Sequence, residues 1–495
     1  MKLFYNARFY SMKQENDSFA AALVDNGIIK ETFLTEPDIS NVEKIDLRDS
    51  FVYPGFIDTH THSFEGGLYS LGADLEKAAT LKDVFSILSE TKPVSGKIFA
   101  FHFDERLVNE KRFPTASELD KIFPDTPVIL RRIDGHSSVI NIKAAKSIDW
   151  DKPLPGNFNG HLSKRENGKA VNWFHRNFDD ESILEIYQKA ANIALKEGHT
   201  TIHTMIGDGH SNIKHYELIR NNLHRFPVEF ILYPQITDVA KALEAGSPRI
   251  GGCVLADGSF GSHTAAVLDS YSDEPGNYGS LYRSSKSWNN FIQNAHKNNL
   301  QVAVHCIGDA AISQILTIYE KAQKDKPKDL RHAIIHNELT TEDILDREKN
   351  ARVSVIMQPM FDRLWANPNG LYENRLGKER TLRTNRLASI YKRGILLTGS
   401  SDWYITKMNA LKGIDAATRI HNKNERLSAY QAVEIYTKNA AELSFDENRL
   451  GTLEVGKQAD FVCLQNDIFT SDSIAEIKIA AVIKKGCIKI QNEGN

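Results

Sequence analysis

The chain has 495 residues with a formal net charge of −3, and its composition is 41% hydrophobic and 25% charged. Because 61 basic residues are offset by 64 acidic ones, the charge gives no basis for nucleic-acid binding. No run approaches the roughly 20 apolar residues of a membrane helix, and the first residues lack the apolar core of a signal peptide. Four scattered cysteines without a Cys-x-x-Cys pair favour a reducing compartment. We therefore expect a cytoplasmic protein without a membrane partner.

Both ends of the chain are typical of small antiparallel sheets. Residues 1–55 alternate short strand-like pieces with turn formers such as Asp25-Asn26-Gly27, and residues 445–495 repeat this pattern. Because a lone hairpin is only marginally stable in water, we expect the two ends to meet and to build one small β-sandwich domain.

Eight apolar, strand-like runs recur between these ends, and most of them are followed by a helical pattern. This alternation predicts an α/β fold, a (β/α)8 TIM barrel, over residues 56–444. A mixed segment at about 64–177 interrupts the alternation after the first run. We interpret that segment as an inserted cap, or lid, over the barrel mouth.

Polar side chains stand at the ends of several of these runs. His60 and His62 end the first run, and alternate residues of an extended strand point to the same side. His305, His336 and Asp402 end the fifth, sixth and eighth runs. The carboxyl ends of barrel strands converge on one mouth, so we expect these five side chains to meet. Imidazoles and a carboxylate suit Zn²⁺ or a similar divalent ion, with a coordination position open for water.

Several motifs carry a resemblance to a known family. They lie at Pro54 to His62, Ala256 to Ala266, His305 to Asp309, Ile335-His336, Gly399 to Trp403 and Leu450 to Asp460. With these motifs the chain resembles the amidohydrolase superfamily, and within it the YtcJ-type branch that includes N-substituted formamide deformylase. The resemblance covers nearly the whole chain and implies a metal-dependent hydrolase with a (β/α)8 barrel and a flanking β-sandwich. It further implies that His60, His62 and Asp402 hold one metal and that His305 and His336 hold a second.

Cys253 departs from the pattern of that family. Many relatives carry a lysine at this place on the fourth strand, and its carboxylated amine bridges two metals. Zn²⁺ favours sulfur and deprotonates a coordinated thiol, so the Cys253 thiolate is a suitable ligand or bridge. The alternatives are a site with one metal only and a buried core cysteine. We expect ligation, which leaves the number of ions at one or two.

This ligand set predicts hydrolysis of a C–N bond in a small molecule, most simply an amide, N-acyl or N-formyl compound. A metal lowers the pKa of a bound water, and Asp402 is the expected general base and then the proton donor to the leaving nitrogen. A single-metal deaminase of a nucleobase or related heterocycle is the alternative. Such enzymes usually have a His-x-x-Glu arrangement, whereas here Asp309 follows His305 by four positions. A non-catalytic barrel is a third interpretation, which the retained ligands disfavour.

Five further residues are predicted to line the substrate pocket. Asp257 and His263 flank a glycine-containing turn at the mouth, and His263 stands where the family typically has arginine. Asp134 and His136 belong to the expected cap, and Trp403 follows the last barrel strand. A surface turn, for Asp134 and His136, or a packing aromatic, for Trp403, is an equal alternative. The substrate, the physiological metal and the oligomeric state, a homo-oligomer included, are left open by the sequence.

Overall fold

The structure is a computed structural model of the whole chain, and it describes residues 1–132, 137–176, 178–207 and 212–492. The chain divides into two compact units, of which the first comprises Met1–His62 and Ala191–Asn495 and the second comprises Ser63–Ala190. The second unit is thus inserted directly after the first pair of histidines. Within the described ranges, every helix is too short or too polar to cross a bilayer.

The described residues form 21 strands, numbered in chain order: β1 (Lys2–Tyr10), β2 (Ser18–Phe19), β3 (Ala21–Asp25), β4 (Ile28–Phe33), β5 (Glu43–Pro54), β6 (Phe56–Thr61), β7 (Ala73–Asp74), β8 (Ile98–Phe103), β9 (Val128–Arg132), β10 (Ser137–Ile140), β11 (His161–Ser163), β12 (His199–Ile206), β13 (Glu229–Pro234), β14 (Arg249–Leu255), β15 (Gln301–Cys306), β16 (Ala333–His336), β17 (Ser354–Met357), β18 (Leu397–Gly399), β19 (Phe461–Leu464), β20 (Ile479–Lys484) and β21 (Cys487–Gln491).

The same residues form 17 α-helices: α1 (Ser63–Leu71), α2 (Leu81–Glu90), α3 (Ala116–Ile122), α4 (Ile142–Ser147), α5 (Lys164–His175), α6 (Asp180–Lys196), α7 (Lys214–Asn221), α8 (Val239–Glu244), α9 (Ser285–Lys297), α10 (Asp309–Asp325), α11 (Glu342–Asn350), α12 (Pro359–Trp365), α13 (Leu371–Thr381), α14 (Leu387–Lys392), α15 (Ala410–Thr418), α16 (Ala429–Glu434) and α17 (Lys438–Leu443).

One sheet contains strands from both ends of the chain. Its order is β21-β20-β19-β5-β1-β3-β4, and β2 pairs with β1. The long strand β5 joins the two parts, because it runs parallel to β1 and antiparallel to β19. Phe461 packs edge-on against Phe4 and Phe9, with ring centroids 5.4 and 5.7 Å apart. The two ends therefore share one hydrogen-bonded sheet with an aromatic core, while its status as a separate β-sandwich domain stays a prediction.

Eight parallel strands correspond to the eight strand-like runs of the sequence, and the α/β class is confirmed. They form one sheet of order β13-β12-β6 and another of order β14-β15-β16-β17-β18. Each residue of β15 is buried, as expected for parallel strands covered on both faces. Backbone hydrogen bonds also link β6 to the segment after β18: Asp402 N donates to His60 O at 3.0 Å, and His62 N donates to Trp403 O at 2.6 Å. The carboxyl ends of the first and last strands therefore lie side by side.

The second unit has a sheet and a core of its own. Its strand order is β11-β10-β9-β8-β7, in which β7, β8 and β9 are parallel and β9, β10 and β11 are antiparallel. Helix α2 begins at a capping box between Thr80 and Asp83, and α3 begins at another between Thr115 and Glu118. The predicted segment at about 64–177 falls within this unit, and its role as a cap stays a prediction.

Candidate metal centre

Five of the six predicted metal ligands lie at or next to the carboxyl ends of parallel strands. His60 is in β6, with His62 just beyond it, and His305 and His336 are in β15 and β16. Asp402 follows β18. These strands run in one direction within each sheet, so their carboxyl ends lie at the same edge. The fold thereby gathers side chains that are as much as 342 positions apart in the sequence, the separation of His60 and Asp402.

Cys253, in β14, completes a cluster of six side chains. Three groups have ligand atoms within 4.8 Å of one another: His60, His62 and Cys253; Cys253, His305 and His336; and His60, His336 and Asp402. Because His60, Cys253 and His336 each belong to two groups, the three groups form one continuous cluster. The structure therefore brings together all six residues that were predicted as ligands.

The atoms of this cluster fit a divalent cation. Asp402 Oδ1 lies 3.0 Å from His60 Nε2 and 3.2 Å from His62 Nε2. Even so, within the described residues, Asp402 Oδ1 and both ring nitrogens of His60 are buried without a hydrogen bond of acceptable geometry. Buried polar atoms that approach one another without pairing need another partner, such as an ion. Imidazole nitrogens, a carboxylate and a sulfur are donors that zinc accepts.

The electrostatics favour the charged forms of the two acidic ligands. Burial raises the pKa of Asp402, but the adjacent His60 and His62 outweigh it and hold this pKa far below its usual range. Burial also raises the pKa of the Cys253 thiol, but His60, His305 and His336 outweigh it and lower the pKa well below its ordinary value. The cluster is thus suited to a carboxylate and a thiolate, the two ligand forms that bind metal ions.

Hydrogen bonds fix the ring orientation of two of the histidines. His336 Nδ1 lies 2.8 Å from Gln358 Oε1, and Gln358 Nε2 donates to Ser400 Oγ at 2.9 Å. His305 Nε2 lies 3.1 Å from the carbonyl oxygen of Gly258. An oxygen acceptor assigns the proton to the nitrogen that faces it. The other nitrogen of each ring, Nε2 of His336 and Nδ1 of His305, then carries the lone pair that a metal would accept, and His305 Nδ1 lies 3.8 Å from the Cys253 sulfur.

The backbone at Asp402 is held in an uncommon conformation. Its φ is 52°, and that of His336 is 74°, in the left-handed region that side-chain-bearing residues seldom adopt. Asp58 Oδ1 accepts hydrogen bonds from Ser401 N at 3.1 Å and His60 N at 3.2 Å. One buried carboxylate therefore ties the segment before Asp402 to β6. Uncommon backbone conformations held in place by such contacts concentrate at functional sites.

Asp257, predicted to bind substrate, is buried beside the cluster. Its Oδ2 accepts hydrogen bonds from Ala266 N at 2.9 Å and Gly308 N at 2.8 Å, and its Oδ1 accepts one from Ile307 N at 3.0 Å. Its side chain is 0% exposed, and Oδ1 lies 3.7 Å from His305 Nε2. These contacts are those of a carboxylate that holds the backbone around His305, and a direct contact with substrate stays a prediction.

Two of the other predicted pocket residues, His263 and Trp403, belong to none of the ligand groups found among the described residues. His263 Nε2 lies 3.0 Å from Asp273 Oδ1, within a surface group of charged side chains. Trp403 is buried, and its carbonyl oxygen accepts the hydrogen bond from His62. Asp134 and His136 lie outside the described residues. Substrate binding by all four residues stays a prediction.

Glu338 is a buried carboxyl near the cluster that the sequence analysis did not identify. It is 2% exposed, and Tyr372 Oη donates a hydrogen bond to its Oε2. Burial raises the pKa of Glu338 to about 8, against the opposing effects of Tyr372 and His305. In the sequence, only its position two residues after His336 indicated that Glu338 lies near the cluster.

The chain is similar to known proteins over most of its length. The sequence profile of the amidohydrolase family matches residues 43–489. The chain is 28% identical over 518 residues to putative amidohydrolase YtcJ of Bacillus subtilis (strain 168). This alignment covers 95% of this chain and 96% of that protein. It is 20% identical over 543 residues to N-substituted formamide deformylase of Arthrobacter pascens. This alignment covers 99% of this chain and 98% of that protein. A crystal structure of an uncharacterized metal-dependent hydrolase from Pyrococcus furiosus superposes with a TM-score of 0.82 at 24% identity, covering 95% of this chain and 100% of that one.

Proposed function

Because the chain belongs to the amidohydrolase family, we propose that it is a metal-dependent hydrolase that cleaves a non-peptide C–N bond in an amide, N-acyl or N-formyl compound. The observation that carries this proposal is the six-residue cluster of imidazole, carboxylate and thiol donors at the strand ends. The similarity to N-substituted formamide deformylase, a protein named for acting on N-substituted formamides, supports a substrate of this class.

We further propose that the eight parallel strands close into a (β/α)8 barrel over residues 56–444. The two sheets contain these strands in sequence order, and backbone hydrogen bonds join β6 to the segment after β18. In the same proposal, residues 1–55 and 445–495 form the β-sandwich domain, and the segment at about 64–177 is the cap. The similarity in fold to the Pyrococcus furiosus hydrolase supports this architecture.

The ligands divide between two metal positions. We assign His60, His62 and Asp402 to the first and His305 and His336 to the second. Cys253 would hold an ion with either set, because its sulfur belongs to one group with His60 and His62 and to another with His305 and His336. Zn²⁺ suits this mixture of nitrogen, oxygen and sulfur donors. A divalent ion bound there would polarise the substrate carbonyl and lower the pKa of a water molecule.

Asp402 moves the protons of the reaction. Its carboxylate accepts a proton from the attacking water and then donates it to the leaving nitrogen. His60 and His62 keep Asp402 ionised before the reaction, because they lower its pKa. The hydrogen bond from Ser401 N to Asp58 keeps the adjacent backbone in place, so that Asp402 stays beside the two histidines.

We do not propose the deaminase alternative. Asp309, the acidic residue closest after His305, begins helix α10, and its Oδ1 accepts a hydrogen bond from Leu268 N at 2.8 Å. This contact joins a loop to the start of the helix. Asp309 therefore has a structural role, which differs from that of an acidic residue beside a reacting ring.

Metal analysis of the purified protein combined with a substrate screen tests the proposed function. We expect zinc or another divalent ion in the protein, and release of free amine from N-formyl or N-acyl amines. The activity should disappear on chelation and return when the metal is restored. Release of ammonia from heterocyclic amines without hydrolysis of the N-acyl compounds would instead favour a deaminase. Protein that takes up no divalent ion would contradict the proposal.

A further inference from the structure

Glu338 has one carboxyl oxygen that is held in place and one that is free. Tyr372 Oη donates to Oε2, while no hydrogen-bond donor among the described residues contacts Oε1. A carboxyl oxygen without a protein donor can accept a hydrogen bond from a bound molecule. The carboxyl group is therefore oriented by Tyr372 to receive a ligand at Oε1.

The backbone places Glu338 beside the histidine cluster. Asn337 N donates to Cys306 O at 3.0 Å, and Leu339 N donates to Ile307 O at 3.2 Å. These two bonds align the segment that contains Glu338 with the residues immediately after His305. The charges that act on Glu338 include those of His305, Asp257 and Asp402. Its carboxyl therefore lies within the electrostatic field of the candidate metal centre without belonging to any ligand group.

A row of aromatic rings runs from the cluster to Tyr372. Phe361 stacks on His336 with ring centroids 5.9 Å apart and an angle of 10° between the rings. Trp365 lies 4.5 Å from Phe361, and Tyr372 lies 6.1 Å from Trp365. Such rings provide apolar contact area and attract a cation near their faces. Phe361 and Tyr372 are buried and Trp365 is partly exposed, so this row of rings gives the Glu338 carboxyl an apolar surrounding.

We propose that Glu338 binds substrate: its Oε1 accepts a hydrogen bond from an ammonium or N–H group on the amine portion of an apolar substrate, and Tyr372 is the positioning residue that orients the carboxyl. This inference rests on the proposed function, because it requires the substrate to react beside the histidine cluster. It names the substrate class as N-acyl or N-formyl compounds of apolar amines that carry a second nitrogen donor.

The test compares two substrate series. One consists of mono-N-formyl diamines with aromatic spacers of increasing length, and the other carries a methyl group in place of the terminal ammonium. Glu338→Gln should raise KM about tenfold for the best diamine compound, because a hydrogen bond to a charged group is lost. The kcat value and the metal content should stay unchanged, and so should KM for the methyl series. Tyr372→Phe should raise KM in the same direction by a smaller factor.

The pair Glu434 and Tyr391 provides a matched control. Glu434 is also buried, and Tyr391 Oη donates to its Oε2 at 2.5 Å. Among the contacts that the structure describes for this pair, none includes a residue of the histidine cluster. Glu434→Gln and Tyr391→Phe should leave the KM difference between the two substrate series as it is in the wild type. An equal change of KM in both series on Glu338→Gln, or a joint loss of kcat and metal, would overturn the role of Glu338.

Binding of the free diamines, measured by calorimetry, separates this inference from the proposed function. If the wild type binds them about tenfold more tightly than Glu338→Gln but hydrolyses neither series, the role of Glu338 stands and the proposed hydrolysis fails. If the wild type hydrolyses the compounds and Glu338→Gln changes neither KM nor diamine binding, the hydrolysis stands and the role of Glu338 is refuted.

Discussion

Replacing Cys253 with alanine tests the position of its sulfur between two groups of ligands. Without the sulfur, the group with His305 and His336 retains two donors, whereas catalytic zinc sites usually take three donors from the protein. The position assigned to His60, His62 and Asp402 keeps all three of its donors. We therefore expect the metal content to fall from about two ions per chain to about one.

The assay is metal analysis of wild-type and C253A protein after equal loading with zinc and removal of the free metal. A cobalt-loaded wild type should show a sulfur-to-metal charge-transfer band that C253A lacks. Cys463→Ala is the matched control, because Cys463 is a buried cysteine of the end sheet and belongs to none of the ligand groups found among the described residues. Equal metal content in C253A and wild type, with no change in the cobalt spectrum, would refute the assignment of Cys253 as a ligand.

Three further predictions follow from the contacts of the site and its surroundings. Asp402→Asn should lower kcat about a thousandfold, since general acid–base catalysis contributes on this scale; turnover near that of the wild type, with metal retained, would contradict the assigned role. Gln358→Leu removes the acceptor of His336 Nδ1, so metal affinity in a chelator titration should fall about 10- to 100-fold, and an unchanged titration would argue against this orientation of the ring. Burial, with a smaller effect of His296, lowers the pKa of His332 to about 3. The unfolded chain therefore takes up the proton first, and stability should fall as the pH drops below about 6.5, by roughly 2 kcal/mol at pH 5. His332→Asn can still accept the hydrogen bond from Val302 N. Its free energy of unfolding, measured with urea, should fall less between pH 7.5 and pH 5 than that of the wild type, and an equal fall would contradict this prediction.

The ligands at strand ends could be predicted because two regularities of the sequence coincide. His305 and His336 each close an apolar run, and in the structure every residue of β15 and β16 is buried. A polar residue that ends such a run stands out against its neighbours. Cys253 lacks this contrast, because a cysteine in a buried strand looks like any core residue. Only the family resemblance pointed to it, and the structure then placed its sulfur among the histidines.

Glu338 could not be predicted because its environment depends on contacts that are remote in sequence. The residues before it, His336 and Asn337, have φ values of 74° and 50°, so the regular alternation of a strand ends there. Its partner Tyr372 lies 34 positions later in helix α13. No local pattern in the sequence gives the side chain of a loop residue a direction, and a glutamate after a strand is common on protein surfaces.

The boundary of the inserted unit shows a similar limit. The sequence predicts a cap that ends at about 177, and it predicts a helix between barrel strands at 180–196. That helix is α6, but the compact units divide within it, after Ala190. A continuous helix offers no turn or change in composition that would reveal such a division.

A one-metal C253A protein would also separate two contributions to catalysis. The residues assigned to proton transfer, Asp402 with His60 and His62, form contacts that do not involve the sulfur atom. His336 keeps its contact with Gln358 and His305 keeps its contact with Gly258 in C253A, while the contact of His305 Nδ1 with the Cys253 sulfur is lost. Residual turnover in C253A therefore measures what the first metal position and Asp402 achieve alone. If the double variant C253A/D402N loses about the same factor relative to C253A as Asp402→Asn loses relative to wild type, proton transfer by Asp402 is independent of the second ion. A much smaller loss would mean that Asp402 acts only when both ions are bound.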